Sequence, residues 1–151
     1  NIVQFGDTSR MVRLEPRNAV LYNAVRISAG DLGGTNVGQA VEHVLKSATE
    51  PIGAVVILSD NESWVDSFGR DKMSGTKTHE AWKQIKRGKQ NHGAKLVCVD
   101  LQSNGTCQAP DGADIINIGG FSDEVFKLVA LAANGELSPE LWRDRIQSTE
   151  L

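Results

Sequence analysis

Two rhythms of apolar positions run along the chain. Ile2-Val3-Gln4-Phe5 is a short, mostly apolar stretch closed by a Gly6-Asp7 turn, and Met11-Val12-Arg13-Leu14 alternates. Both predict strands, the second at a sheet edge because Pro16 follows at once. Asn18 to Ala29 reads as helix, and Gly30 to Asn36 as a loop dense in turn residues. Val37, Ala40, Val41, Val44 and Leu45 then fall at i, i+3, i+4, i+7 and i+8, one face of an amphipathic helix. Asn36 is placed to cap it, with Gln39 as capping-box partner.

Beyond Pro51, residues Ile52 to Leu58 form an almost continuous apolar run, the pattern of a strand covered on both faces of a parallel sheet. A polar stretch from Asp60 to Gly75 leads to a helix near Lys77 to Asn91. Strands are predicted at Lys95–Val99 and Ile115–Ile118. Gly119-Gly120 turns into a helix that Ser122 can cap, with Phe121, Val125, Leu128, Val129 and Ala132 on its inner face. Ser138-Pro139-Glu140 starts a last helix, on which Trp142 with Leu141 and Ile146 reads as a packing anchor. Strands alternating with helices imply right-handed parallel crossovers. The predicted class is α/β: a doubly wound, mostly parallel sheet with helices on both faces, Rossmann-like, in one domain over residues 1–151.

Composition alters this little. A hydrophobic fraction of 40%, a charged fraction of 23% and a net charge of -3 describe an ordinary globular domain. They give no global reason for nucleic-acid binding. No apolar run approaches a membrane span, so no membrane partner is expected. Cys98 falls inside an apolar run and Cys107 in a polar one, so nothing in their settings predicts a pair; two such cysteines fit a reducing, cytoplasmic compartment.

Open α/β sheets bind ligands beyond the carboxyl ends of their strands. There Asp60 and Glu62 follow the most apolar strand, and Gly33-Gly34-Thr35-Asn36 opens a helix. One carboxylate (Asp60) and one hydroxyl (Thr35), with waters completing the shell, suit Mg²⁺ or another divalent cation. Either stretch alone is more often an ordinary turn.

A Gly-Gly-Thr loop opening a helix, followed by an apolar strand ending in Asp, resembles two elements of the metal-ion-dependent adhesion site of von Willebrand factor A domains. By that resemblance Thr35 and Asp60 are metal-site residues. Leu58-Ser59-Asp60-Asn61-Glu62-Ser63, Ala94-Lys95-Leu96-Val97-Cys98, Ser103-Asn104-Gly105-Thr106 and Gly119-Gly120-Phe121, in that order, resemble the A domain of the Ro (TROVE) ribonucleoprotein family. The likeness runs from about Phe5 to Leu131. It implies a domain seated on a helical-repeat ring that binds Y RNAs and the ends of misfolded RNAs. The family pattern opens with Asp-x-Ser-x-Ser after the first strand, and no such motif occurs here; Asp7-Thr8-Ser9 lacks the second serine. The chain is therefore expected to be N-terminally incomplete, beginning one strand and one helix into the fold. In the strand order 3-2-1-4-5-6 the first strand would lie between Ile2–Phe5 and Ile52–Leu58, so an upstream segment is expected to complete both the sheet and the cation site.

Between Arg70 and Lys95 stand eight basic and two acidic residues. Lys83, Lys86 and Arg87 share a helical face that could meet RNA phosphates by charge alone, although such a stripe is more commonly just solvated. His43, His79 and His92 have no ligand-spaced partners and read as surface residues. No Gly-x-Ser-x-Gly elbow or P-loop is present, and the chain is not expected to be an enzyme. Two rivals remain. Asp31-Leu32-Gly33-Gly34-Thr35-Asn36 resembles the phosphate-binding turn of hexokinase-like and ROK-type sugar kinases, which would require a strand, not a helix, over residues 37–47. A cell-adhesion A domain would share the fold but predicts a secretory signal and a disulfide.

Overall fold

The computed structural model describes residues 1–30, 33–60, 77–102, 107–120, 122–136 and 147. Its elements, in chain order, are β1 (Ile2–Phe5), β2 (Ser9–Val12), α1 (Val20–Ser28), α2 (Val37–Ser47), β3 (Ala54–Ser59), α3 (Lys77–Arg87), β4 (Lys95–Asp100), β5 (Ile115–Gly119) and α4 (Asp123–Ala133). The fold is α/β, with a three-strand parallel sheet and accompanying helices. The expected helix at Ser138-Pro139-Glu140, with Trp142, lies outside the described residues, as do Trp64 and Phe121.

The chain divides into two compact units, Asn1–Glu50 with Glu62–Ile85, and Pro51–Asn61 with Lys86–Leu151. In the first, β1 and β2 form an antiparallel hairpin in register Ile2↔Val12 to Phe5↔Ser9. β2 starts two residues before the predicted Met11. The cause is a tight turn in which Gly6 N–H donates to the Thr8 carbonyl (2.8 Å), committing Ser9 to pair with Phe5. α2 packs on both strands of the hairpin. Its cap is as predicted: the Asn36 side chain accepts from Gln39 N–H at 3.1 Å. Val37, Gly38, Ala40 and Val41 are buried. Gly38 is needed for close approach, because a Cβ there would lie 2.7 Å from Lys77 Cβ at the start of α3. α3 buries Thr78, Ala81, Trp82 and Ile85, spaced i, i+3, i+4 and i+7. It stops at Arg87 rather than near Asn91, because Gly88 is extended (φ -66°, ψ 121°) and only a 3-10 turn, Lys89–Asn91, follows. α1 is helical as predicted but buries no residue, leaving Val20 and Leu21 about four-fifths exposed.

In the second unit β3, β4 and β5 are parallel, in the order β3-β4-β5. β4 is the central strand; Leu96 to Asp100 are all buried. Its Val97 and Val99 pack with Val125 and Ala132 of α4, joined by Ile116, Ile118 and Val129. Burial of each such valine contributes roughly 1.5–3 kcal/mol. Of the inner face predicted for α4, Val125, Val129 and Ala132 take this role. Ser122 stands at the N-cap position, but its side chain makes no capping bond; the helix ends at Gly135 (φ 75°), whose N–H donates to the Ala132 carbonyl.

Among the described residues the strands form an antiparallel pair, β1–β2, and a parallel trio, β3–β4–β5, with no ladder between the two. One expectation about the sheet needs correction: β3 is not covered on both faces. Val55, Ile57 and Ser59 are buried, while Val56 and Leu58 are 42% and 45% exposed. An apolar run specifies what a strand could bury, and the layers present decide what it does bury.

Candidate functional site

The Thr35 loop lies in the first unit. Asn36 N–H donates to the Gly6 carbonyl at 2.9 Å, tying the loop to the β1–β2 turn. Gly33 has φ 75°, in the left-handed region, and a Cβ there would collide with the Asp7 carboxylate. The left-handed φ favours glycine there, and Asp7 is brought beside the loop that presents Thr35. Sequence reasoning set Asp7 aside because its motif was incomplete; only the hairpin turn shows its place. Thr35 itself is half-buried just before the α2 cap. Asp31 and Leu32 lie outside the described residues. α2 is helical throughout Val37–Ser47, which removes the sugar-kinase reading of this loop.

His43, expected to be only a surface residue, is tied down as well: Ser9 Oγ lies 3.0 Å from its Nδ1. The Arg10 guanidinium holds both Gln4 Oε1 (2.8 and 2.9 Å) and the Ala29 carbonyl, fastening the end of α1 to the hairpin.

Asp60 lies in the second unit, immediately after β3, exposed, with Ser59 Oγ 3.4 Å from its Oδ1. Glu62 is outside the described residues. Across the sheet, Ser59 is in register with Asp100, which is in register with Gly119. Asp100 is 7% exposed, and its Oδ1 accepts from Gln102 N–H at 3.1 Å. The Asp100 backbone carbonyl takes Gly120 N–H at 2.9 Å, and Leu101 N–H donates to the Ser59 carbonyl at 2.8 Å. A second carboxylate therefore stands at the carboxyl edge of this sheet. Its sequence signal, a strand run ending in Asp, was readable but not used.

Among the described residues no group of three or more His, Cys, Asp or Glu side chains could hold a metal ion. One hydroxyl and one exposed carboxylate are two donors of the six or more that Mg²⁺ or Ca²⁺ takes.

The basic face of α3 is divided. Lys83 and Arg87 are exposed. Lys86 flanks the buried stripe, and its ammonium is engaged by the chain: it donates to the His92 and Ala94 carbonyls, the latter at 3.1 Å, and lies 3.4 Å from Asp114 Oδ2. The Lys86 ammonium is thus taken up by nearby carbonyls and a carboxylate, so of the three predicted phosphate contacts Lys83 and Arg87 are the two presented to solvent. Helical spacing assigns residues to faces but does not show which long side chain turns back to cap a loop.

No family model matches the sequence, and no curated protein does. Among solved structures, the chain is similar to the crystal structure of the Ro (RSR) protein of Deinococcus radiodurans, with a TM-score of 0.68 at 21% sequence identity. The match covers 89% of this chain and 25% of that one. The fold is Ro-like. The chain spans about a quarter of that Ro protein, and the likeness is of fold; residue roles do not follow from it. Both cysteines are free thiols, Cys98 buried and Cys107 exposed. No helix among the described residues is long and apolar enough to cross a membrane.

Proposed function

We propose that this chain is a ligand-binding domain, rather than an enzyme, in a Ro-like RNA-binding protein that handles small non-coding or misfolded RNA. The observation that carries the reading is the Ro-like fold over 89% of the chain, which agrees with the ordered series of sequence blocks from Phe5 to Leu131. The exposed Lys83 and Arg87 on α3 are the groups assigned to phosphate contact. Backbone phosphates are recognised by charge, and each neutralised phosphate adds to the salt dependence of binding. With a fluorescently labelled, Y-like small RNA and the full-length protein, the double substitution Lys83→Ala and Arg87→Ala should flatten the log K against log[salt] slope by about 1.4–1.8. It should weaken binding across RNA sequences alike. An unchanged slope would remove this face from the interface.

Thr35 and Asp60 are proposed as two ligands of a divalent-cation site whose remaining donors come from an upstream segment of the same protein. The open edge of β3 supports such a segment: β3 pairs with β4 alone among the described strands, and Val56 and Leu58 stand exposed on it. In the protein that includes the upstream segment, Asp60→Ala should weaken Mn²⁺ or Mg²⁺ binding at least tenfold, in line with loss of a directly coordinating carboxylate. Equal affinities by titration calorimetry would reject Asp60 as a ligand. The segment is tested separately, by whether it protects β3 amides from hydrogen exchange.

A further inference from the structure

Cys98 sits in the middle of β4 with no exposure. Side chains alternate along a strand, so when Val97 and Val99 face α4, Cys98 faces the opposite side. Its register partner on β5 is Asn117, whose side chain projects to that same side. Asn117 Nδ2 donates to the Ala109 carbonyl at 3.1 Å and to Asp111 Oδ1 at 2.7 Å. The segment is bound down further by Gln108 and Ala109, both buried, and by the Gly112↔Ile115 bridge. The stretch from Gln108 to Gly112 is thus pinned to β5 at the residue beside Cys98, and Cys107 is the residue that enters it. Burial, with smaller contributions from the Cys107 thiol and the Asp111 carboxylate, pushes the Cys98 thiol up to about 12.

We propose that Cys98 and Cys107 are a redox pair, and that oxidation joins them in a disulfide tying the start of the pinned segment to β4. Exposed Cys107 is the entry point. Its thiolate attacks a low-molecular-weight disulfide such as oxidised glutathione, forming a mixed disulfide and releasing one glutathione. Cys98 then loses its proton, its sulfur attacks Cys107 Sγ, and the second glutathione leaves as a thiol. Two electrons and two protons pass from the protein to glutathione disulfide, so one S–S bond is exchanged for another. Burial keeps Cys98 protonated at neutral pH, so closure is slow and the mixed disulfide accumulates first.

The test is equilibration of the full chain, under native conditions, with oxidised glutathione, followed by acid quench, alkylation in denaturant and peptide mapping. The expected product has lost two hydrogens, carries no glutathione, resists alkylation at both cysteines, and yields a Cys98–Cys107 linked peptide. Cys98→Ser should stop at a stable glutathione adduct on Cys107, and Cys107→Ser should leave Cys98 unmodified until the chain is unfolded. A wild-type chain that at equilibrium holds glutathione on Cys107 with Cys98 still alkylatable would overturn the proposal. So would a Cys107–Cys107 dimer as the main product.

Discussion

Trp82→Ala is expected to lower the unfolding free energy by about 3–5 kcal/mol, the range for truncating a large aromatic in a core. Trp82 is 1% exposed and is the largest fully buried side chain among the described residues. It occupies the centre of the α3 stripe formed with Thr78, Ala81 and Ile85. Lys83→Ala, one residue along the same helix, supplies the control. Lys83 points to solvent, and removing it should change stability by no more than about 0.5 kcal/mol. Urea unfolding followed by circular dichroism, which does not depend on the lost fluorophore, measures both. Coincident midpoints for the two variants would mean that α3 does not anchor its unit.

The second large effect is alkaline. Burial, then Cys107, then Asp111 raise the Cys98 thiol from 9.0 to about 12. A folded-state value above the unfolded one means that the native chain holds the proton more tightly. The associated stability is fully present below about pH 9 and is lost as pH rises toward 12. The loss is about 1.4 kcal/mol per pH unit across that window. Contributions from every other group cancel in the difference between wild type and Cys98→Ala, which is the useful quantity. The wild-type stability relative to that variant should be constant from pH 6 to about 8.5 and fall steeply above about pH 9. A difference that stays flat to about pH 11 would show that Cys98 ionises in the folded chain as readily as in the unfolded one.

Much of the fold was legible because its elements rest on periodicity. The α2 stripe, its Asn36 cap, the β4 run and the inner face of α4 all follow from spacing that one element satisfies by itself. What was not legible depends on a second element. The exposure of Val56 and Leu58 reflects which layers cover β3, and its own residues do not encode that. The fastening of Lys86 depends on carbonyls at His92 and Ala94 that a helical wheel omits. The placement of Asp7 against Gly33 is set by a hairpin turn and a left-handed glycine meeting across a gap in sequence. The nearness of Cys98 to the Cys107 segment arises in the same way, through Asn117 on a third stretch of chain. Of the candidate site, its residue types and strand-end position were readable. Asp100 was readable as well, since it ends an apolar strand as Asp60 does.

The half-covered β3 has a practical consequence for anyone producing this chain alone. A parallel edge with aliphatic side chains at Val56 and Leu58 offers a template on which a second chain can add a strand. Ala54–Ser59 contains no charge and no proline, the two devices by which edges are commonly blunted. Self-association through this strand would grow with concentration and consume the very edge a natural partner would use. A lysine at position 56, on the open face, would act as a gatekeeper and keep the isolated chain monomeric for the measurements above.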